Sequence, residues 1–234
     1  MSETLLQRYR SLIENGRIAA DPAQALAVEK LQLLANRLAS YPPPARTDRF
    51  SFFTRRRGEL PRGLYLFGGV GRGKTMLMDL FFETVRYPAK RRVHFHAFMS
   101  EVHERIAQAR KTHPGEAVKK TAADIAGEAR LICFDELFVV SIADAMILGR
   151  LFEALFANGA VMVATSNTHP ADLYKDGLNR ALFLPFIELI EANMEVLELE
   201  SARDYRLDKL AGSPLYFTPL GACLLYTSPS PRDS

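Results

Sequence analysis

Cysteine is nearly missing from this chain, with two residues in 234, Cys133 and Cys223. So few thiols exclude a disulfide framework, and Cys133 sits inside an apolar run where it reads as a core residue. Long apolar runs are missing as well. No stretch approaches the roughly 18 consecutive apolar residues of a membrane-crossing helix. Met1 to Arg10 contain Glu3 and no apolar core, so no secretory leader is expected. Excess charge of one sign is scarce too: 30 Lys and Arg against 27 Asp and Glu leave +3, too little to draw nucleic acid. Two short basic clusters, Arg55-Arg56-Arg57 and Lys90-Arg91-Arg92, read as solvated element edges, so nucleic-acid contact is not expected. No internal repeat is visible, and a reducing cytoplasm is the expected compartment. What remains, 48% apolar residues over this length, suffices for one sizeable α/β domain with small additions.

The most informative segment is Gly68-Gly69-Val70-Gly71-Arg72-Gly73-Lys74-Thr75, a complete G-x-x-x-x-G-K-[ST] loop entered from the apolar run Gly63–Phe67. Successive backbone N–H groups face one concavity only where residues tolerate φ > 0 and carry no bulky Cβ, hence the glycines. The spacing predicts that Lys74 reaches the β/γ-phosphates of ATP and that the Thr75 hydroxyl ligates Mg²⁺. A helix from Met76 would aim its positive end at the phosphates. Gly68 to Met76 is thus the expected nucleotide-binding segment. Chance would produce this pattern in about 1% of chains of such length, so it is a specific signal.

The second half of the site follows 60 residues later, in Leu131-Ile132-Cys133-Phe134-Asp135-Glu136. A buried parallel strand reads as such an apolar run, and ligands of open α/β sheets gather at strand carboxyl ends. Asp135 is expected to hold Mg²⁺ through its water shell, and Glu136 to polarise the attacking water. An acid directly after the magnesium-side Asp points to ATP hydrolysis rather than to phosphoryl transfer by a small-molecule kinase.

Further elements follow from periodicity. Leu5–Asn15 and Pro22–Leu38 read as helices, the second with Asp21 as N-cap and Pro22 in its first turn. Tyr41-Pro42-Pro43-Pro44 reads as a stiff linker separating this lead-in from the nucleotide domain. Strands are expected at Gly63–Phe67, Arg92–Phe98, Leu131–Asp135, Ala160–Thr165 and Met194–Leu199. Helices are expected at Glu101–Lys111 with Ser100 as cap, at Ala122–Ala129 after a loop over Thr112–Lys120, and at Ile142–Ala157. Strands alternating with helices imply a mostly parallel five-stranded sheet, the α/β architecture of a P-loop NTPase.

Two further residues suit the site. Asn167 ends Ala164-Thr165-Ser166-Asn167, where a polar group at the strand tip can sense the γ-phosphate or the attacking water. Arg180 begins an apolar helix and is a candidate finger reaching a neighbouring subunit's ATP, which implies a homo-oligomer. Other features carry less. His94 and His96 lie two apart on the expected strand, but no cysteine or carboxylate in register supports a metal pair. Phe50, Phe52 and Phe53 beside Arg49 and Arg55 read as a hydrophobic flap rather than a base-stacking platform.

Several of these motifs resemble the ZapE-like ATPases, a family of AAA+-like proteins with bacterial and mitochondrial members. The resemblance rests on Gly63–Asp79, on His94-Phe95-His96-Ala97-Phe98-Met99, on Ile142–Leu148, and on Ala164–Asn167 with Asp172-Leu173-Tyr174. It spans about Tyr9 to Leu220 and implies an AAA+-type fold and ATP hydrolysis coupled to a protein partner. For bacterial members that partner is the division ring, which implies a cytoplasmic protein peripheral to the division site. Departures fall beside the site: Phe138 and Ser141 stand where the family has Gln and Asp, Ala97 replaces an arginine, and Leu182 replaces a second arginine.

The resulting organisation is a helical lead-in and Pro linker over 1–44, a P-loop ATPase domain over 45–200, and the start of a C-terminal lid over 201–222. Asp204-Tyr205-Arg206-Leu207 matches the start of the family's C-terminal region, so the lid is expected to be incomplete. Cys223 to Ser234 looks like a translated sequencing adapter, so the natural protein is expected to continue past Ala222. Two other readings stay open: a nucleotide-gated interaction module with little turnover, and a DNA-associated ATPase of the helicase-loader kind.

Overall fold

A computed structural model describes residues 3–43 and 60–200 of the chain. Arg55-Arg56-Arg57, the Phe50/Phe52/Phe53 flap, the lid segment at 201–222 and the tail at 223–234 lie outside the described residues. The elements run α1 (Leu5–Glu14), α2 (Pro22–Ala39), β1 (Gly63–Phe67), α3 (Lys74–Thr84), β2 (Lys90–His94) and α4 (Phe95–Thr112). They continue with α5 (Ala117–Glu128), β3 (Leu131–Asp135), α6 (Ile142–Ala157), β4 (Val161–Ser166), α7 (Leu184–Asn193) and β5 (Met194–Glu198). Five parallel strands lie in the order β2-β3-β4-β1-β5, as the alternation of strand and helix leads one to expect.

Both faces of the sheet are covered, which is why β1, β3 and β4 are buried almost throughout and apolar up to their carboxyl ends. Their side chains divide with period two. Leu64, Leu66, Leu131, Cys133, Val161 and Val163 face α1, α2 and α3. Tyr65, Ile132, Phe134, Met162 and Ala164 face α4 to α7, where Phe134 packs edge-on to Phe98 at 4.8 Å between centroids. Burial pushes the Cys133 thiol up to about 12, so it stays protonated and inert at neutral pH. No helix among the described residues is long and apolar enough to cross a membrane.

The lead-in helices are part of this core. Leu5, Tyr9, Val28, Leu31 and Leu38 share one cluster with Leu77, Met78 and Phe81 of α3. The Tyr41 hydroxyl donates to the Gly159 carbonyl at 3.0 Å, and Arg130 donates to the Pro42 carbonyl at 3.0 Å. The approach to the linker is thus pinned onto the sheet, although Pro44 itself is outside the described residues. Asp21 caps α2 as its position suggests, accepting from Ala23 and Gln24 N–H.

Two boundaries differ from expectation. The strand expected over Arg92–Phe98 ends at His94, and α4 begins at Phe95. Phe95, Phe98, Met99, Val102 and Ile106 are all buried at helical spacing, and this outweighs the His-Phe-His alternation. His94 and His96 therefore do not share a strand face, and Ala97 is exposed in the first turn of a helix rather than at a strand tip. Likewise α5 starts at Ala117, within the expected loop, because Ala117, Val118, Thr121, Ala122 and Ile125 bury one helical face.

Gly63 opens β1 close against the backbone of Met162 in β4. A Cβ built there would lie 1.9 Å from the Met162 carbonyl oxygen. Gly63→Ala is therefore expected to force these central strands apart at a cost of roughly 1–3 kcal/mol. Urea unfolding should show a lower midpoint at unchanged slope, and an unmoved midpoint would contradict the packing.

Candidate nucleotide site

Because β4 lies between β1 and β3, the carboxyl ends of all three strands meet at one edge of the sheet. The loop Gly68–Gly73 leaves β1 there, Asp135 and Glu136 leave β3, and Asn167 follows β4. That is the crevice where open α/β sheets bind ligands.

The loop conformation requires its glycines. Gly71 and Gly73 have φ near +84° and +85°, and Gly73 starts α3 in the left-handed region with no side-chain cap. Lys74 is the first residue of α3, and its Nζ curls back to donate to the carbonyls of Gly68 and Gly69 at 2.6 and 2.7 Å. The ammonium thus lies across the start of the loop. Thr75 is exposed beside it in the first turn of α3.

Asp135 is buried at the end of β3, where Arg92 of β2 grips it in a fork. Nε donates to Oδ2 at 2.7 Å and Nη2 to Oδ1 at 3.2 Å, while Nη1 pairs with Asp79 of α3. Sequence reasoning missed Arg92 by grouping it in a basic run. All three members of that run have partners inside the fold: Arg91 bonds Glu101 at 3.0 Å, and Lys90 donates to the Val85 carbonyl at 2.9 Å. The hydrogen bond from Arg91 also holds the Glu101 carboxyl below the usual carboxylate range.

Glu136 takes φ of +54°, a conformation that costs a non-glycine residue about 1 kcal/mol or more. Buried groups of β4 hold it there. The Glu136 N–H donates to the Thr165 hydroxyl at 3.1 Å, and the Leu137 N–H to the Thr165 carbonyl at 2.7 Å. The Ser166 hydroxyl donates to the Leu137 carbonyl at 2.8 Å. This turn leaves the Glu136 side chain exposed at the sheet edge while Asp135 stays buried. Thr165 and Ser166 act on residues about 29 positions away, so no local pattern announces them.

Asn167 is exposed at the tip of β4, between the other two strand ends. Arg180 stands in a short 3-10 turn, Arg180–Leu182, and donates to the Leu173 and Ala171 carbonyls at 3.0 and 2.5 Å. Its guanidinium is thus tied to the loop that follows β4, with two of its roughly five N–H donors engaged by those carbonyls. Ser141, the residue standing for the family's Asp, caps α6 by accepting from the Ala143 N–H at 3.2 Å. A short polar side chain there keeps the capping role. Phe138 and Val140 beside it are 60% and 71% exposed.

Comparison with known proteins agrees with this architecture. The sequence pattern of the AFG1-like ATPases matches residues 3–225. The chain is 41% identical over 231 residues to the cell division protein ZapE of Escherichia coli strain K12, covering 94% of this chain and 60% of that protein. It is 48% identical over 155 residues to lactation elevated protein 1 homolog B of Danio rerio, covering 62% of this chain and 31% of that one. Among solved structures, domain III of the Thermotoga maritima replication initiation protein DnaA superposes with a TM-score of 0.53 at 16% identity. That match covers 84% of this chain and 70% of that one, a likeness of fold alone.

Proposed function

The chain belongs to the AFG1-like ATPase family, and from that premise we propose that it binds ATP with Mg²⁺ and hydrolyses it to ADP and phosphate. The reading rests chiefly on one observation: the strand order puts Lys74, Asp135, Glu136 and Asn167 on elements that meet at a single sheet edge. Lys74 would exchange its two loop carbonyls for phosphate oxygens. The Thr75 hydroxyl and the Asp135 carboxylate are hard oxygen donors of the kind Mg²⁺ prefers, and the ion would neutralise charge on the β- and γ-phosphates. Glu136 would orient and deprotonate the attacking water, with Asn167 sensing the γ-phosphate.

The chain spans 60% of the length of its Escherichia coli relative, so the work done by the cycle is a further step of the proposal. That relative is named for cell division, and we propose that this chain's cycle acts on a protein partner at the division site, with the chain cytoplasmic and working as a homo-oligomer. Arg180 would then contribute its remaining donors to a neighbour's ATP. Arg180→Ala is expected to lower turnover by roughly 10³ while leaving nucleotide affinity unchanged, and wild-type specific activity should rise with protein concentration. A specific activity that stays constant from dilute protein upward would remove the finger. A second reading, nucleotide-gated binding with little turnover, draws on the Arg92 fork that occupies both Asp135 oxygens. Tight ATP binding without phosphate release would favour it.

A further inference from the structure

One side chain of the helical lead-in reaches the phosphate loop directly. Gln24 lies in the first turn of α2, and its Nε2 donates to the Arg72 carbonyl of the phosphate loop at 3.2 Å. Forty-eight residues separate the two in sequence. A Cβ built on Gly73 would lie 2.8 Å from that same nitrogen and 3.4 Å from the Gln24 Cδ. The carboxamide therefore fills the space that the glycine before Lys74 leaves open.

Gln24 is only 4% exposed, and its Oε1 is buried without a hydrogen-bond partner. Turning the amide over would set Oε1 against the Arg72 carbonyl oxygen, so the donor must face the loop. A residue present only to fill volume would be better as Leu or Met, which strand no buried acceptor. The unpaired oxygen is the cost of a contact made for the loop. The base from which Gln24 reaches is firm, because Asp21 caps the helix start and Val28 and Leu31 pack with Leu77 and Met78 of α3.

We infer that Gln24 is a positioning residue for the phosphate loop, holding Arg72 and Gly73 in the conformation from which Lys74 and Thr75 enter α3. The inference rests on the nucleotide reading given above. It makes α2 a working part of the site, so anything that shifts the lead-in helices would shift nucleotide affinity.

Gln24→Leu tests it, since the change removes the donor and the stranded acceptor at similar volume. The expected result has opposite signs: thermal stability equal or higher, and affinity for a fluorescent ATP analogue with Mg²⁺ lower by roughly tenfold, the weight of one buried hydrogen bond. Hydrogen exchange at residues 68–75 of the nucleotide-free protein should quicken, with the sheet unchanged. Gln24→Met serves if the branched side chain disturbs folding. Affinity within about twofold of wild type overturns the inference, since one such bond is worth more than that. Stability and affinity falling together, or loss of folding in both variants, also overturns it by making Gln24 merely structural. Wild type and Lys74→Ala belong in the same series. A wild type that binds no nucleotide defeats the functional reading itself, whereas equal binding by wild type and Gln24→Leu defeats only the clamp.

Discussion

Lys74→Ala is expected to abolish measurable nucleotide binding while leaving the fold intact. The Lys74 ammonium donates to the Gly68 and Gly69 carbonyls of its own loop. Phosphate oxygens offer the same ammonium two charge-assisted bonds, each about twice as strong as a neutral one. Their loss amounts to about 3 kcal/mol or more, a weakening of roughly 100-fold or greater in Kd. Folding should hardly suffer. Alanine is the best helix former, and a positive charge in the first turn of α3 opposes the helix dipole. Titration calorimetry with Mg·ATP gives the affinity, and thermal midpoints with and without nucleotide give an independent check, because a ligand that binds only the native state raises the midpoint. Wild type should shift and Lys74→Ala should not. A variant that binds as tightly as wild type would take Lys74 out of the site.

Glu136→Gln separates binding from chemistry. The replacement is isosteric, and the strained backbone at φ +54° is held through main-chain bonds to Thr165 that the amide leaves untouched. Nothing in the loop at 68–75 changes, so affinity for Mg·ATP should stay within about twofold of wild type, because the lost carboxylate serves the water rather than the phosphates. Turnover should fall by roughly 10²–10⁴, the usual contribution of a positioned general base. Unchanged phosphate release would remove Glu136 from the mechanism. A parallel loss of binding would mean instead that the carboxylate shapes the nucleotide site electrostatically.

What the sequence discloses and what it hides divide along physical lines. The loop at Gly68–Thr75 was legible because its chemistry is local: glycines for positive φ, a lysine and a threonine at fixed offsets. Asp135 and Glu136 were legible because a buried parallel strand ends abruptly in charge. The β2–α4 boundary was misread because Val93 to Phe98 fits both periods over a short run, and only the burial of Phe98, Met99 and Val102 decides between them. Arg92, Thr165 and Gln24 were hidden for another reason. Each acts on a residue 29 to 48 positions away, through a contact that exists only once the strands are ordered. Arg180 was expected to begin an apolar helix, but it stands in a 3-10 turn and that helix starts at Leu184, because its ties to Ala171 and Leu173 depend on how the loop after β4 folds back. Motif residues announce themselves locally; the residues that hold them in place belong to the tertiary fold.

If this sheet edge hydrolyses ATP, Glu136 is the residue through which it does so. The most direct test is steady-state phosphate release from Mg·ATP by the wild-type chain across a range of protein concentrations, with Glu136→Gln measured beside it. Wild-type turnover should rise with concentration and be lost in the variant. Equal rates in the two proteins, or no release by a wild type that binds ATP tightly, would contradict hydrolysis through Glu136.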